Sequence, residues 1–260
     1  MQNSDSTAWL RDWSMDDQVE LRVLCLPPAG GSSRLYRRWP HLLPPHVGVV
    51  SVELPGRGTR ADEPAATTLE QIVPPLSRAA AGLLDRPLVV FGHSMGGAVG
   101  AELVRELRRS AGLVPDLLVA AGCEPPRSPR RKDDVDRLTD AGLRDFLAQA
   151  GGTPQELLAN EEYLRMLMPV LRADLTVLAG RPVAPQAPPL DCPVRVYLGA
   201  DDRSVSQERA ARWQDESDGD FQIRIFPGGH FFVQESTDLV LARLGQDVAQ
   251  VLRRARAATG

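Results

Sequence analysis

Short runs of β-branched and aliphatic residues alternate along this chain with longer stretches of helical periodicity. No other feature restricts the fold as much. Residues 21–26, 47–54, 88–91, 117–121, 194–198 and 221–226 read as strands. They are nearly continuous apolar runs, the pattern expected when both faces of a strand are covered. Strands alternating with helices predict an α/β fold, a mostly parallel central sheet with helices on both faces. At 260 residues and 43% hydrophobic composition, the chain can bury one full core of that kind.

Helical stripes fill the intervals. Residues 68–84 place Leu69, Ile72, Val73, Leu76, Ala80 and Leu83 on one face, with Pro74 and Pro75 forcing a kink or a late start. Residues 95–109 follow the 88–91 strand directly. A last helix over 239–256 carries Leu241, Leu244, Val248, Val251 and Leu252 on one side. The alternation is interrupted once, between the strands at 117–121 and 194–198. There Thr139 can cap a helix bearing Leu143, Phe146 and Leu147 and closed by Gly151-Gly152. Thr153-Pro154-Gln155-Glu156 reads as a capping box with proline at the first helical position. A longer helix over 161–178 follows, then a proline-rich return to the sheet over 182–189. The expected organisation is a loose N-terminus over 1–17, a core over 18–126 and 190–256, and a helical lid over 127–189. A lid at that place would cover the carboxyl ends of the strands, where open α/β sheets bind ligands.

Gly92-His93-Ser94-Met95-Gly96 fits G-x-S-x-G. The pentapeptide alone is a weak signal, but here it ends a strand and opens a helix, the setting of a nucleophile elbow in an α/β-hydrolase fold. A serine hydroxyl needs a base to attack at neutral pH. In this fold the triad partners follow the serine as Asp or Glu and then His. Of the four histidines, His41 and His46 precede Ser94 and read as surface residues, and His93 is locked beside the nucleophile. His230, in Gly228-Gly229-His230-Phe231-Phe232 between the last strand and the last helix, is the candidate base. The acid belongs after the preceding strand, in Gly199-Ala200-Asp201-Asp202-Arg203-Ser204-Val205. Asp202 has the favoured register, Asp201 is the alternative, and Glu124 is a remoter substitute. The acid would fix the tautomer of His230 and stabilise its imidazolium. Two N–H groups must receive the developing oxyanion. The backbone of Met95 supplies one, and Ala29 in Pro27-Pro28-Ala29-Gly30-Gly31-Ser32 is the candidate for the other.

Several function classes drop out. A net charge of −4 argues against nucleic acid as the partner. The 27–32 loop lacks the Gly-Lys-Ser/Thr ending of a phosphate loop, and Gly56-Arg57-Gly58 lacks the third glycine of a dinucleotide fingerprint, so no cofactor is expected. Cys25, Cys123 and Cys192 show neither metal spacing nor a disulfide framework. The N-terminus has no signal-peptide pattern, and no apolar run is long enough for a membrane. The expectation is a cytoplasmic protein with no membrane partner.

The chain resembles the type II thioesterases, free-standing editing enzymes of polyketide and nonribosomal peptide synthesis. The resemblance runs from about Val23 to Leu252 and rests on five motifs. These are Leu26-Pro27-Pro28-Ala29-Gly30-Gly31, Glu53-Leu54-Pro55-Gly56-Arg57-Gly58-Thr59-Arg60 with Glu63-Pro64, Gly92-His93-Ser94-Met95-Gly96, Gly199-Ala200-Asp201-Asp202, and Gly228-Gly229-His230-Phe231-Phe232. It departs from the family at Pro28 and at Glu124-Pro125-Pro126. It implies hydrolysis of acyl groups from the phosphopantetheine thiol of an acyl or peptidyl carrier protein, through an acyl-enzyme on Ser94. Competing readings are a small-molecule carboxylesterase of the same fold and a non-catalytic interaction protein. Within this reading Leu164, Leu167, Met168 and Leu171 could line an acyl pocket or equally form only the core of the lid. The basic run Arg127, Arg130, Arg131 and Lys132 could attract an acidic carrier protein.

Overall fold

All six sequence-read strands enter one sheet, and a seventh joins them. In chain order they are β1 (Leu10–Asp12), β2 (Leu21–Leu26), β3 (Val47–Val52), β4 (Leu88–His93), β5 (Leu117–Ala121), β6 (Val194–Gly199) and β7 (Phe221–Phe226). The computed structural model describes residues 8–16, 18–128, 138–181, 188–217 and 219–259. The sheet order is β1-β3-β2-β4-β5-β6-β7, with β1 antiparallel to β3 and every other pair parallel.

That order decides where a site can form. From β2 the chain moves to β3 on one side and then crosses back to place β4 on the other side of β2. The connections leaving the carboxyl ends of β2 and β4 therefore diverge and leave a crevice between them. Leu26 at the end of β2 pairs with Gly92 in β4, so the 27–32 loop and Ser94 leave the sheet side by side.

The covering helices are α1 (Leu69–Ala81) and α2 (Met95–Ala111) on one face, and the last helix (Thr237–Thr259) on the other. One face buries Ile72, Leu76, Val99, Leu103 and Leu107 against Leu24, Val90 and Val196. The other buries Leu241, Leu244 and Val248 with Tyr36 and Trp39 against Val23, Val89 and Val119. Two-sided burial explains the continuous apolar runs in the inner strands. β7 is the exception: its alternating Phe-Gln-Ile-Arg-Ile-Phe is half-buried because it lies at the sheet edge.

Three sequence expectations need correction. The N-terminus is not loose over its whole length, since Leu10–Asp12 is a strand pairing with Val50–Val52, and Trp9 is buried beneath the Arg60 guanidinium. A three-residue edge strand is too short to show a period in sequence. Residues 1–7 lie outside the described part of the chain. α1 starts at Leu69, upstream of both prolines, which overturns the late start, one of the two expectations there. Thr68 and Gln71 form a capping box there, and the burial of Ile72 and Leu76 holds a helix that has lost two backbone donors. Thr153 caps nothing: the short helix α4 (Gln155–Leu158) has Pro154 at its N-cap, without a side-chain bond.

Between β5 and β6 stand α3 (Asp140–Ala150), α4 and α5 (Glu161–Gly180). Thr139 caps α3 as expected, accepting the Gly142 N–H. Asn160 caps α5, accepting from Glu162 and Tyr163. Leu143, Leu147, Leu164, Leu171 and Leu175 form a small core of their own in this insert. Residues 129–137 and 182–187, which include Arg130, Arg131, Lys132 and most of the proline-rich return, lie outside the described residues. Among the described residues, no helix is long and apolar enough to cross a membrane.

Candidate active site

Ser94 sits between β4 and α2 at φ 54°, ψ −116°, and among the described residues it is the only non-glycine with positive φ. Such a backbone costs about 1–3 kcal/mol and persists only where its surroundings impose it. Here the flanking glycines permit it. A Cβ at Gly92 would overlap the Gly96 carbonyl, and one at Gly96 would overlap the Leu26 carbonyl. The Ser94 N–H donates to Ala121 O at 2.7 Å, and Ser94 O accepts from Gly97 N at 2.9 Å. The turn is thus tied to β5 on one side and to its own helix on the other.

The Ser94 hydroxyl lies 2.9 Å from His230 Nε2, and His230 Nδ1 lies 2.8 Å from Asp202 Oδ2. The Asp202 side chain is fully buried and that of His230 nearly so. A carboxylate at Nδ1 calls for the proton there, which leaves the Nε2 lone pair to accept the serine O–H. Burial by itself would raise the Asp202 carboxyl. Hydrogen bonds from His230 and from the side chain and backbone of Ser204 outweigh burial and hold it below the usual carboxylate range. Asp202 is therefore an anion at neutral pH.

Asp201 is not placed for that role. Its side chain is exposed on the turn, and its N–H donates to Gly228 O at 2.9 Å. Glu124 pairs with Arg209 at 2.8 Å. His41 is exposed and His46 half-buried, as expected of surface residues. Arg127 is held by Glu216 and by the Asp215 carbonyl. Ala29 and Met95 both line the cleft in front of Ser94. Among the described residues neither N–H donates to a protein acceptor. A developing oxyanion needs two N–H donors of this kind, not already engaged by the protein.

The cleft has a volume of about 840 Å³ when its open mouth is included. Its apolar wall comes from Ala98, Phe146, Leu175, Leu178 and Val205, with Glu124 and Arg181 as polar members. Leu164, Leu167, Met168 and Leu171, read from sequence as either pocket lining or lid core, are not among the lining residues. Leu164 and Leu171 are buried in the insert core, with Leu167 and Met168 packed against it. The helical period explains the correction. Leu175 and Leu178 lie further along α5, where the helix passes over the serine, and α3 adds Phe146.

Three contributors were not legible as such in the sequence. Ser204 Oγ donates to Asp202 Oδ1 at 2.6 Å and lies 2.8 Å from His230 Nδ1, sharing that N–H with the carboxylate. The Asp-x-Ser spacing of an Asx-type turn was the available signal. His93, fully buried, hydrogen-bonds through Nε2 to the His230 carbonyl at 2.9 Å. Burial first, and then repulsion from His230, push its pKa down to about 3, so it remains a neutral donor under the loop that carries His230. Its neighbour in sequence suggested only the elbow. Arg57, inside a motif whose role sequence did not explain, forms a buried ion pair with Asp174 of α5.

Known proteins resemble this chain over most of its length. The family model described as "Thioesterase domain" matches residues 21–247. The gramicidin S biosynthesis protein GrsT of Aneurinibacillus migulanus is 32% identical, over 90% of this chain and 91% of its own length. The type II thioesterase BorB from the borrelidin biosynthetic cluster is 30% identical, covering 94% of this chain and 98% of that one, with a TM-score of 0.79. RedJ, a thioesterase of the prodiginine pathway in Streptomyces coelicolor, is 35% identical over 88% of this chain and 85% of its own, with a TM-score of 0.78.

Proposed function

The chain belongs to the thioesterase family, and on that premise we propose that it hydrolyses acyl groups from the phosphopantetheine thiol of an acyl or peptidyl carrier protein, clearing stalled or mis-primed synthases, with Ser94, His230 and Asp202 as its triad. The observation that carries the reading is the chain of 2.9 Å and 2.8 Å hydrogen bonds from Ser94 through His230 to Asp202, opening on an apolar cleft.

In the first half-reaction the Ser94 oxygen attacks the thioester carbonyl while its proton passes to His230 Nε2. Asp202 stabilises the resulting imidazolium, and the Met95 and Ala29 N–H groups receive the oxyanion. Collapse breaks the C–S bond, and the departing pantetheine sulfur takes the proton back from His230. In the second half, water gives a proton to His230 and attacks the acyl-Ser94 carbonyl. Collapse then releases the free acid and returns the proton to Ser94. The phosphopantetheine belongs to the partner, so this chemistry asks for no cofactor on the enzyme. An enzyme of this kind works in the cytoplasm beside its synthase, with neither nucleic acid nor membrane as a partner.

The family relationship favours thioesters over oxoesters, and the apolar Phe146, Leu175 and Leu178 suit an acyl chain. A panel of acyl-carrier proteins, assayed with the wild type and Ser94→Ala, tests the reading. Release of free acid by the wild type alone supports it. Equal rates for the two proteins, or faster turnover of matched oxoesters than of thioesters, would overturn it.

A further inference from the structure

The loop that carries Ala29 is held from the far side of the cleft by the helical insert. Asp174 on α5 is 1% exposed and Arg57 7% exposed, and they form a two-pronged pair, Nη1 to Oδ2 at 2.6 Å and Nη2 to Oδ1 at 2.7 Å. The same Oδ2 also accepts the Gly30 N–H at 2.7 Å. Arg57 Nη1 in turn donates to Gly31 O at 3.2 Å. One carboxylate from the insert thus reaches the residue immediately after the second oxyanion donor. The face of α5 that carries Asp174 also carries Leu167 and Leu171, seven and three residues earlier. A Cβ on Gly30 would come within 3.2 Å of Leu167 Cδ1 and 3.5 Å of Leu171 Cδ1. Ala29 itself packs against the insert core. From the sheet side, Ser33 Oγ donates to Glu53 Oε2 at 2.8 Å, fixing the other end of the loop. The Glu53–Arg60 motif is therefore a bracket for the 27–32 loop, and Asp174 completes the bracket from another layer.

We infer that Asp174 is a positioning residue for the oxyanion site, so that the Ala29 N–H faces the cleft only while α5 is seated on the loop. The inference rests on the thioesterase reading and deepens it. It makes acyl transfer conditional on docking of the insert, because the same helix contributes the acyl wall at Leu175 and Leu178 and holds the donor loop. A buried two-pronged pair is a suitable device. Gly30 N–H must find its acceptor there, since Gly30 sits at φ +73°, turned towards α5, and charge-assisted bonds of this geometry define direction as well as distance.

The test uses the full chain with Asp174→Asn, Asp174→Ala and Arg57→Lys. The last keeps the charge and loses the paired geometry. Arg195→Met, which breaks a buried pair with Asp220 and Asp247 at the opposite end of the sheet, controls for loss of stability alone. With a short acyl thioester of N-acetylcysteamine, the Asp174 and Arg57 variants are expected to lose at least tenfold in kcat with KM within about twofold. Complete loss of an oxyanion donor costs about 10²–10³. Binding of a trifluoromethyl ketone, which forms the oxyanion on Ser94, should weaken by the same factor, while Arg195→Met keeps both values despite a lower Tm. A wild-type kcat in Asp174→Asn, or a rise in KM alone, would overturn the inference. Amide hydrogen exchange at Gly30 is a second arm that needs no turnover. Exchange should accelerate at least tenfold in Asp174→Asn, and unchanged exchange would also overturn the inference. If the wild type shows no Ser94-dependent hydrolysis, the functional reading fails, yet the exchange arm still decides whether Asp174 holds the loop.

Discussion

Replacing Ser204 by alanine separates a residue that tunes the triad from one that performs its chemistry. Its hydroxyl donates to Asp202 Oδ1 at 2.6 Å and sits 2.8 Å from His230 Nδ1. Without it, Oδ1 keeps the Ser204 N–H at 2.8 Å and the Val205 N–H at 3.3 Å, and Oδ2 keeps His230 at 2.8 Å. One bond to a buried charge is lost, so the stability cost is about 1.5–3 kcal/mol less whatever the remaining donors recover, leaving about 1–2 kcal/mol. For a chain of this size that is a fall in Tm of roughly 2–8 °C. The effect on rate should be smaller. Losing a competing acceptor leaves the whole Nδ1–H to Asp202, and losing a donor makes the carboxylate a better partner for the imidazolium. A kcat within about tenfold of wild type is therefore expected, against a loss of about 10⁴ for Asp202→Asn, which supplies the wrong tautomer.

The pH dependence has a definite sign. The folded Asp202 carboxyl is held below its unfolded value, so the stability it contributes is present above the unfolded pKa and lost as pH falls through the folded one. Ser204→Ala removes one cause of that depression and so raises the folded pKa, leaving the onset at the unfolded pKa unchanged; the acid-side fall in Tm should be smaller and should end at a higher pH than in wild type. Differential scanning calorimetry across the acid range, with steady-state thioester hydrolysis, reads both quantities. A loss of kcat as large as that of Asp202→Asn, with Tm unchanged, would refute the reasoning and make Ser204 the principal partner of His230.

Asp201→Asn should leave thioester hydrolysis within twofold while Asp202→Asn nearly abolishes it, because only the second carboxylate meets Nδ1; steady-state rates of the two variants decide this. Leu175→Phe should shift the acyl-length optimum towards shorter chains, whereas Leu164→Met, in the insert core and away from the cleft, should not; a thioester series of increasing chain length reads the difference. Burial pushes the Cys123 and Cys192 thiols up to about 12 and the Cys25 thiol well above its ordinary value. All three should therefore resist iodoacetamide at pH 8 in the native protein and react on unfolding, as mass spectrometry would show.

Local signals reported local structure well. The apolar runs located β2 to β6 because burial on both faces leaves little room for polar residues, and Thr139 announced the start of α3 because a helix terminus needs a side-chain acceptor. The glycine spacing around Ser94 announced the elbow because any Cβ at Gly92 or Gly96 would strike backbone. Chain order nominated His230, which follows from the succession of strands, whereas the choice of Asp202 over Asp201 came from the G-x-x-D-x-x-V register common in α/β-hydrolases.

What sequence left undetermined is whatever depends on two distant segments meeting. Leu164 and Leu175 share one helical stripe, and only the placement of α5 against the sheet decides which turn faces the serine. Arg57 and Asp174 are 117 residues apart, so no local period or spacing could pair them. Residues 10–12 became a strand only because β3 offered an open edge and Arg60 covered Trp9. Periodicity records the burial a segment requires, whereas the partner that supplies it is chosen by the packing of the whole chain.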